Sequence, residues 1–278
     1  MSRRDEYCKQ PVSSIYAEPI HVMRSITTRV FRFVQRWLVR IRARFTIGIS
    51  LSDWLTGTRN TIRVAIIVAH PDDEVFCGGL ICSLRKLDIP VSLFLLTHGE
   101  GASRSPVLKA ELAELRSAEV SASGAALGIS EIKCFGYEDP PVIDGCRRAP
   151  DVTPDVLATR IRAWIVDAEV NLIVVHGSDG EYGHPAHVLL HEAVQKVLRT
   201  LAGVSAIGMN AWRPQFEIPQ LLNRRDVPRV LVDGSPFAAQ RLQSLKSHKT
   251  QCYIFEQWAN GTAEDYVRLT EREWYSFL

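Results

Sequence analysis

Short apolar runs alternate with longer amphipathic segments from about residue 60 onward, and this alternation predicts an α/β domain. A strand buried on both faces of a parallel sheet reads as a continuous apolar run, as residues 63–69 (RVAIIVA) do. Strands that alternate with helices imply βαβ units, so we expect a Rossmann-like, mostly parallel sheet with helices on both faces. The predicted strands are 63–69, 91–97, 131–135, 171–176 and 228–232, and the predicted helices are 75–87, 106–127, 153–168, 184–201 and 236–249.

The first 59 residues have a different pattern, in which arginines recur at spacings of three and four. That spacing places them on one face of a helix, while apolar residues form a second stripe. We therefore expect a basic amphipathic N-terminal helix over residues 29–45, suited to peripheral contact with an anionic membrane surface. Packing of the apolar stripe on the domain, or binding of a protein or nucleic-acid partner, are the alternatives. The arginines are Arg29, Arg32, Arg36, Arg40 and Arg44, and the apolar stripe is Phe33, Trp37, Ile41 and Phe45.

The distribution of charge supports this division of the chain. Residues 1–60 contain eleven basic and four acidic side chains, so they carry a net charge of +7. The whole chain of 278 residues has a net charge of +2, which leaves −5 for the remainder. A basic arm over residues 1–59 is thus predicted to precede a mildly acidic α/β domain over residues 60–278.

Composition narrows the class of protein further. Hydrophobic residues make up 46% of the chain and charged residues 23%, which argues against a disordered chain, a collagen-like repeat or a coiled coil. No apolar run reaches the roughly 18 residues of a membrane-spanning helix, so an integral membrane protein is not expected. The six cysteines include no CxxC pair, so we expect reduced thiols and a cytoplasmic location.

Two polar clusters directly follow two of the predicted buried strands. The first is residues 70–74 (HPDDE), after strand 63–69, and the second is residues 179–187 (DGEYGHPAH), after strand 171–176. The carboxyl ends of parallel strands meet at one edge of a sheet, so the two clusters should lie together there. His184 and His187 are three positions apart at the start of a predicted helix, so their imidazoles point the same way.

These residue types predict a metal-dependent hydrolase. Two imidazoles and a carboxylate are typical of a catalytic zinc site with one position left for water, and the candidate ligands are His70, Asp73, His184 and His187. Asp72 is the natural base for a water molecule whose pKa zinc lowers to about 7. A protonated histidine that binds no metal could stabilise an oxyanion. The alternatives are an acidic run that only caps a helix, and iron or cobalt in place of zinc.

The same two clusters resemble the sequence motifs of a known family. AHPDDE at residues 69–74, followed by Gly78-Gly79, and GHPAH at residues 183–187 resemble the motifs of the PIG-L/LmbE-like zinc-dependent N-acetylglucosaminyl deacetylases. Weaker matches are residues 97–101, Arg116 and residues 248–251, and the resemblance covers about residues 62–255. One departure is Ala186, which stands where the family usually has Asp, so support for the site from that carboxylate is lost.

The resemblance implies roles for individual residues. It implies that His70, Asp73 and His187 hold Zn²⁺ and that Asp72 is the general base. His184 would then stabilise the oxyanion and Tyr182 would polarise the amide carbonyl, while Arg116 and Asp139 would bind substrate. His98 and His176, which end buried strands, are expected to be hydrogen-bonded structural histidines.

The implied function is removal of the acetyl group from an N-acetylated amino sugar conjugate. Two alternatives remain open: an amidase acting on a thiol conjugate or another acylated amine, and a metal-binding surface-docking module without activity. If the basic arm contacts a membrane, the substrate is expected to be a lipid-linked sugar. No nucleic-acid partner is expected, and the oligomeric state is left open.

Overall fold

The computed structural model describes residues 49–56, 62–102, 108–211, 218, 221 and 223–278. Within them the chain forms one eight-stranded sheet with helices packed on it. The strands are β1 (Ile49–Ser50), β2 (Val64–Val68), β3 (Val91–Thr97), β4 (Glu131–Tyr137), β5 (Leu172–Val175), β6 (Ser205–Gly208), β7 (Val230–Asp233) and β8 (Arg272–Phe277). The α-helices are α1 (Leu51–Thr56), α2 (Gly78–Lys86), α3 (Lys109–Leu127), α4 (Pro154–Asp167), α5 (Pro185–Thr200), α6 (Ala238–Ser247), α7 (Cys252–Ala259) and α8 (Ala263–Leu269).

The strand order places β2 and β5 side by side at the centre of the sheet. The order is β1-β7-β8-β6-β5-β2-β3-β4, and every pair is parallel except those that β8 makes with β6 and β7. The chain winds outward from β2 through β3 to β4 and then returns to β5 on the other side of β2. This reversal creates a crevice beyond the carboxyl ends of β2 and β5, where doubly wound sheets bind their ligands.

Both faces of the sheet are covered, as the continuous apolar run of β2 predicts. Alternate residues of a strand point to opposite faces. Val64, Ile66 and Val68 therefore belong to one apolar core, with Leu80 and Leu84 of α2. The residues between them, Ala65 and Ile67, belong to a second core with side chains of α4 and α5, including Leu157, Ile161 and Leu190. The predicted α/β class, with a mostly parallel sheet and helices on both faces, is confirmed.

Several elements differ from the prediction. The predicted helix 75–87 begins with a 3-10 turn, Asp73–Cys77, before α2, and a second 3-10 turn, Ser235–Phe237, precedes α6. The helix predicted over 106–127 is described from Lys109 onward. The sequence pattern did not predict the short strands β1 and β6, nor the C-terminal elements α7, α8 and β8.

The sheet also reaches into the range assigned to the basic arm. Ile49 and Ser50 pair with Val230 and Leu231, and Leu51 of α1 is buried. The basic helix predicted over residues 29–45 lies outside the described residues. In the described part of the chain, no helix is both long and apolar enough to cross a membrane.

Candidate active site

The first polar cluster is a tight turn that its own carboxylates hold in place. Asp72 has φ 112° and ψ −24°, a left-handed conformation that is uncommon outside glycine. The Asp73 carboxylate accepts a hydrogen bond from the backbone N–H of His70 (2.8 Å), and the Glu74 carboxylate accepts one from that of Asp72 (3.0 Å). Glu74 is fully buried and also accepts a hydrogen bond from Nε2 of His248 (2.6 Å), on the far side of the turn. The turn is therefore held by the two carboxylates that follow Asp72.

The second cluster contains a tight, non-helical turn, Gly180–Gly183, before α5 begins at Pro185. Glu181 in this turn has φ 55° and ψ −91°, which points its side chain inward to full burial. His184 caps α5, because its Nδ1 accepts a hydrogen bond from the backbone N–H of Ala186 (3.3 Å). His187, one turn later, is also fully buried. Both imidazoles are thus delivered to the site by the first turn of one helix.

The two clusters converge as predicted. Oδ2 of Asp73 lies 3.3 Å from Nδ1 of His70 and 3.3 Å from Nε2 of His187. His70, His184 and His187 each offer a ring nitrogen within 4.8 Å of the others. Two zinc bonds of about 2.0–2.1 Å each span at most about 4.2 Å. The 3.3 Å between Asp73 and Nε2 of His187 therefore suits a shared ion, whereas the 4.8 Å limit on the three imidazoles is wider than that span. The contact between Asp73 and Nδ1 of His70 is a hydrogen bond.

The donor atoms of this site fit a divalent metal ion. Nε2 of His70 and Nε2 of His187 are both buried and have no hydrogen-bond partner, although Asp139 Oδ1 lies 3.5 Å from the former. Nδ1 of His187 donates a hydrogen bond to Glu181 (2.7 Å), which leaves the Nε2 lone pair free. A buried nitrogen without a partner is costly, and a metal ion would satisfy both of them.

His176 also lies beside the site, and its hydrogen bonds give it a supporting role. Its Nε2 accepts a hydrogen bond from the backbone N–H of Ala69 (3.1 Å), and its Nδ1 donates one to Glu181 (2.9 Å). Asp73, His176 and His187 could also hold an ion by distance, but the Nε2 lone pair of His176 is already used. His176 stacks on His187, with ring centroids 3.6 Å apart, and agrees with the expectation of a hydrogen-bonded structural histidine.

Glu181 is a site residue that the sequence reasoning did not single out. Its Oε2 accepts the hydrogen bonds from His176 and His187, and its Oε1 accepts bonds from Gly177 N (3.0 Å) and Asn223 Nδ2 (3.1 Å). Burial works to raise its pKa, but the two histidines prevail and lower the pKa of Glu181 to about 2. Its place in the DGEYGHPAH run was the available signal, and the inward side chain depends on a positive φ that the pattern does not reveal.

Asp72 and Arg116 form a buried ion pair beside the candidate ligands. Nη2 of Arg116 donates to Oδ2 of Asp72 (2.9 Å) and to the carbonyl of Pro71, and its Nη1 donates to the carbonyl of Gly99 (2.7 Å). A Cβ at position 99 would come within 2.3 Å of Nη1, so glycine is required there. Burial, assisted by Asp73 and opposed by Arg116, raises the pKa of Asp72 to about 6. A carboxylate in that range is suited to accept a proton near neutral pH.

The other predicted residues line the same cleft. Asp139 accepts a hydrogen bond from Gly101 N (3.1 Å) and faces His70. The ring of Tyr182 lies 5.8 Å from that of His184 between centroids. Burial, together with nearby His70 and His187, holds the pKa of His184 well below its usual value. The structure therefore favours a neutral His184 that offers Nε2–H to the cleft, in place of the protonated form expected from the sequence.

Ala186, where the resemblance expects a carboxylate, is fully buried in the second apolar core. It contributes only its backbone N–H to the site, through Nδ1 of His184.

Comparison with known proteins finds relatives that share the two motif loops of this site. A family model described as PIG-L, GlcNAc-PI de-N-acetylase, matches residues 65–198, which include both polar clusters. A 1D-myo-inositol 2-acetamido-2-deoxy-alpha-D-glucopyranoside deacetylase of Saccharopolyspora erythraea is 26% identical over 245 residues, covering 72% of this chain and 81% of that protein. A probable N-acetyl-alpha-D-glucosaminyl L-malate deacetylase of Bacillus anthracis is 25% identical over 229 residues, covering 77% and 94%.

Solved structures show the same fold. The N,N'-diacetylchitobiose deacetylase of Pyrococcus horikoshii superposes with a TM-score of 0.59 at 17% identity, over 90% of this chain and 92% of that one. The 4-carboxy-2-hydroxymuconate hydratase GalB of Pseudomonas putida superposes with a TM-score of 0.54 at 17% identity, over 78% and 96%. Since a deacetylase and a hydratase share this fold, the fold alone does not select the reaction. Both motif loops lie inside the matched region, so over residues 65–198 the chain is similar to the PIG-L family.

Proposed function

We propose that this protein is a zinc-dependent hydrolase that removes the acetyl group from an N-acetylated amino sugar conjugate. The observation that carries the proposal is the convergence of His70, Asp73 and His187 beside Asp72, with two buried Nε2 atoms that have no partner. The names of the relatives from Saccharopolyspora erythraea and Bacillus anthracis, both deacetylases of glucosamine conjugates, support the substrate class.

In this proposal His70, Asp73 and His187 hold the ion, and Asp72 moves the proton. A bound zinc ion would supply a Lewis acid and lower the pKa of water at the site. Asp72 accepts a proton from the attacking water and returns it to the nitrogen of the leaving amine, so that acetate and a free amine result. Arg116 keeps Asp72 in place through its 2.9 Å hydrogen bond.

His184 and Tyr182 are proposed to stabilise the negative charge that develops on the acetamide oxygen. The Nε2–H of a neutral His184 donates a hydrogen bond into the cleft, and such a preorganised donor favours the transition state over the ground state. The aromatic wall beside them suits the apolar face of a sugar ring: Trp258 lies 5.2 Å from Tyr182 and 6.2 Å from Phe76 between ring centroids.

Release of acetate from N-acetylglucosamine conjugates by the zinc-loaded full chain tests the proposal directly. Asp72→Asn should keep the metal, because Asp72 is not among the proposed ligands, but it should lower kcat by about 100-fold or more through loss of the base. Asp167→Asn, at the exposed end of α4, is the matched control. An Asp72→Asn protein with full activity would contradict the assignment of the base. Amide conjugates of thiols in the same assay would reveal the alternative amidase activity.

A further inference from the structure

Two adjacent arginines stand at the mouth of the candidate active site. Arg147 and Arg148 lie in the connection between β4 and α4 and line the same cleft as His184 and Tyr182. Both side chains are exposed. The guanidinium carbon of Arg147 lies 5.3 Å from the centroid of the Tyr182 ring, a cation–π distance, which favours a position of this side chain beside the cleft.

The charged groups deep in the cleft compensate one another or the proposed metal ion. Asp72 is paired with Arg116 (2.9 Å). The Asp73 and Asp139 carboxylates lie 3.3 Å and 3.5 Å from ring nitrogens of His70, and their two negative charges would balance a divalent ion bound there.

Neither arginine at the mouth has such a partner. Among the described residues, no carboxylate forms an ion pair with Arg147 or Arg148. The mouth of the cleft therefore carries two uncompensated positive charges. Since cations at the entrance of a cleft attract anions, these charges point to a ligand group of opposite sign.

We propose that Arg147 and Arg148 form a subsite for an anionic group on the part of the substrate that is attached to the sugar. This inference rests on the proposed function and narrows its substrate class to conjugates that carry a carboxylate or a phosphate. Guanidinium groups bind both anions through paired hydrogen bonds. With the acetamide at Asp72 and the sugar ring against the Tyr182–Trp258 wall, the attached group extends toward the two arginines.

A role for Arg147 at the reaction centre itself makes a different prediction. If its charge acted on the acetamide oxygen, its loss would slow all substrates by the same factor. If it binds an anion outside the sugar ring, its loss slows only substrates that carry that anion. The comparison between charged and neutral conjugates therefore decides between the two roles.

The test uses the zinc-loaded full chain and three conjugates of N-acetylglucosamine: with inositol (neutral), with malate (two carboxylates) and with phosphoinositol (one phosphate). We expect kcat/KM for the anionic conjugates to exceed that for the inositol conjugate by about 10-fold or more at low salt, and the preference to shrink as ionic strength rises. Comparison of the malate conjugate with the phosphoinositol conjugate shows whether the subsite prefers a carboxylate or a phosphate.

Variants assign the preference to the two arginines. Arg147→Gln and Arg148→Gln, singly and together, should lower kcat/KM for the anionic conjugates about 10-fold more than for the inositol conjugate, and Arg147→Lys should restore part of it. Arg160→Gln is the control, because its guanidinium also lies over aromatic rings, 5.2 Å from Phe135 and 4.9 Å from Tyr137, but does not line the cleft.

Equal kcat/KM for neutral and anionic conjugates, or equal losses for both in the variants, would overturn the subsite. Calorimetric binding of the deacetylated products, glucosaminyl malate and glucosaminyl inositol, requires no turnover and separates this outcome from failure of the proposed function. Tighter binding of glucosaminyl malate that depends on Arg147 and Arg148 would support the subsite even if no acetate were released. Active enzyme without a charge preference would refute the subsite alone.

Discussion

The Glu181 carboxylate orients the candidate metal ligand His187 from an unexpected position. A histidine that binds a metal usually donates its other ring N–H to a carboxylate or carbonyl, which fixes the ring and strengthens the ligand. Here Nδ1 of His187 donates to Glu181 at 2.7 Å, while the neighbouring motif position that the resemblance expects to be Asp is Ala186. A carboxylate therefore does orient the His187 ring, but it belongs to Glu181, six positions before this candidate ligand.

Glu181→Gln should lower the affinity for zinc by about 10- to 100-fold. Each oxygen of Glu181 accepts two hydrogen bonds, Oε2 from the two histidines and Oε1 from Gly177 and Asn223. A glutamine must turn its NH₂ group toward one of these pairs of donors, so one pair loses its acceptor in either orientation. Competition with a chromophoric chelator measures the affinity. Glu192→Gln on α5 is the control, and an unchanged zinc affinity in Glu181→Gln would contradict this role.

Arg116→Ala should lower kcat as well as raise KM. The resemblance gives this arginine a role in substrate binding, but its guanidinium donates to Asp72, Pro71 and Gly99. Loss of the partner of a buried carboxylate releases Asp72 from its position and leaves its charge uncompensated. Steady-state kinetics with a saturating substrate separates the two effects. A change confined to KM would leave Arg116 as a binding residue only.

At the scale of elements, the turn of residues 70–74 after β2 is tied to the C-terminal end of α6. Glu74 in the turn and His248 at the end of the helix are both fully buried and hydrogen-bonded. Although burial disfavours the charged imidazole, Glu74 raises the pKa of His248 above its ordinary value, and His248 in turn lowers the pKa of Glu74. The pair thus holds together two elements that are distant along the chain.

His248→Gln should lower the free energy of unfolding by about 2 kcal/mol at pH 6, because glutamine can donate to Glu74 but carries no charge. A histidine whose pKa is higher in the folded state stabilises fully below its unfolded value of about 6.5 and loses that contribution as pH rises through the folded value. The difference between the two proteins should therefore shrink at alkaline pH. Urea denaturation from pH 5.5 to 9 measures it, and a difference independent of pH would show that His248 is uncharged when folded.

The central strands and both site loops could be predicted from sequence, and the outer elements could not. The strands β2, β3 and β5 are buried on both faces, so their apolar runs are unmistakable. In contrast, β6 (SAIG) begins with an exposed serine and ends with a glycine, so it forms no apolar run, and β8 lies antiparallel to its neighbours. Its Glu273 accepts hydrogen bonds from the N–H groups of Gly79 and Leu80 at the start of α2, a contact across more than 190 residues that no local pattern contains.

The same limit applies to the site. The convergence of residues 70–74 with residues 179–187 follows from topology, because both follow central parallel strands. The partners of the functional groups do not follow from it. The inward turn of Glu181 depends on a positive φ, and the pairing of Arg116 with Asp72 depends on the space that Gly99 leaves. Sequence motifs thus indicate which side chains are candidates for the chemistry, whereas the hydrogen-bond partners that orient those side chains depend on tertiary packing.

At the scale of the whole molecule, charge separates the basic arm from the rest of the chain. Residues 1–60 carry a net charge of +7 and the remainder carries −5. Because β1 (Ile49–Ser50) pairs with β7, residues 49 and 50 are part of the sheet. A deletion that tests the arm must therefore end before residue 49, so that loss of the arm is not confused with loss of an edge strand.

The chain is expected to bind anionic vesicles through its arginine-rich segment, residues 29–45. Each arginine near an anionic surface contributes about 1 kcal/mol, so replacing all five by glutamine should lower the partition coefficient by between about three and four orders of magnitude. Co-sedimentation with phosphatidylglycerol vesicles compares the full chain, the chain without residues 1–44 and the variant Arg29→Gln/Arg32→Gln/Arg36→Gln/Arg40→Gln/Arg44→Gln. Phosphatidylcholine vesicles are the neutral control. Equal partitioning of the three proteins into anionic vesicles would show that the arm does not dock the enzyme on a membrane.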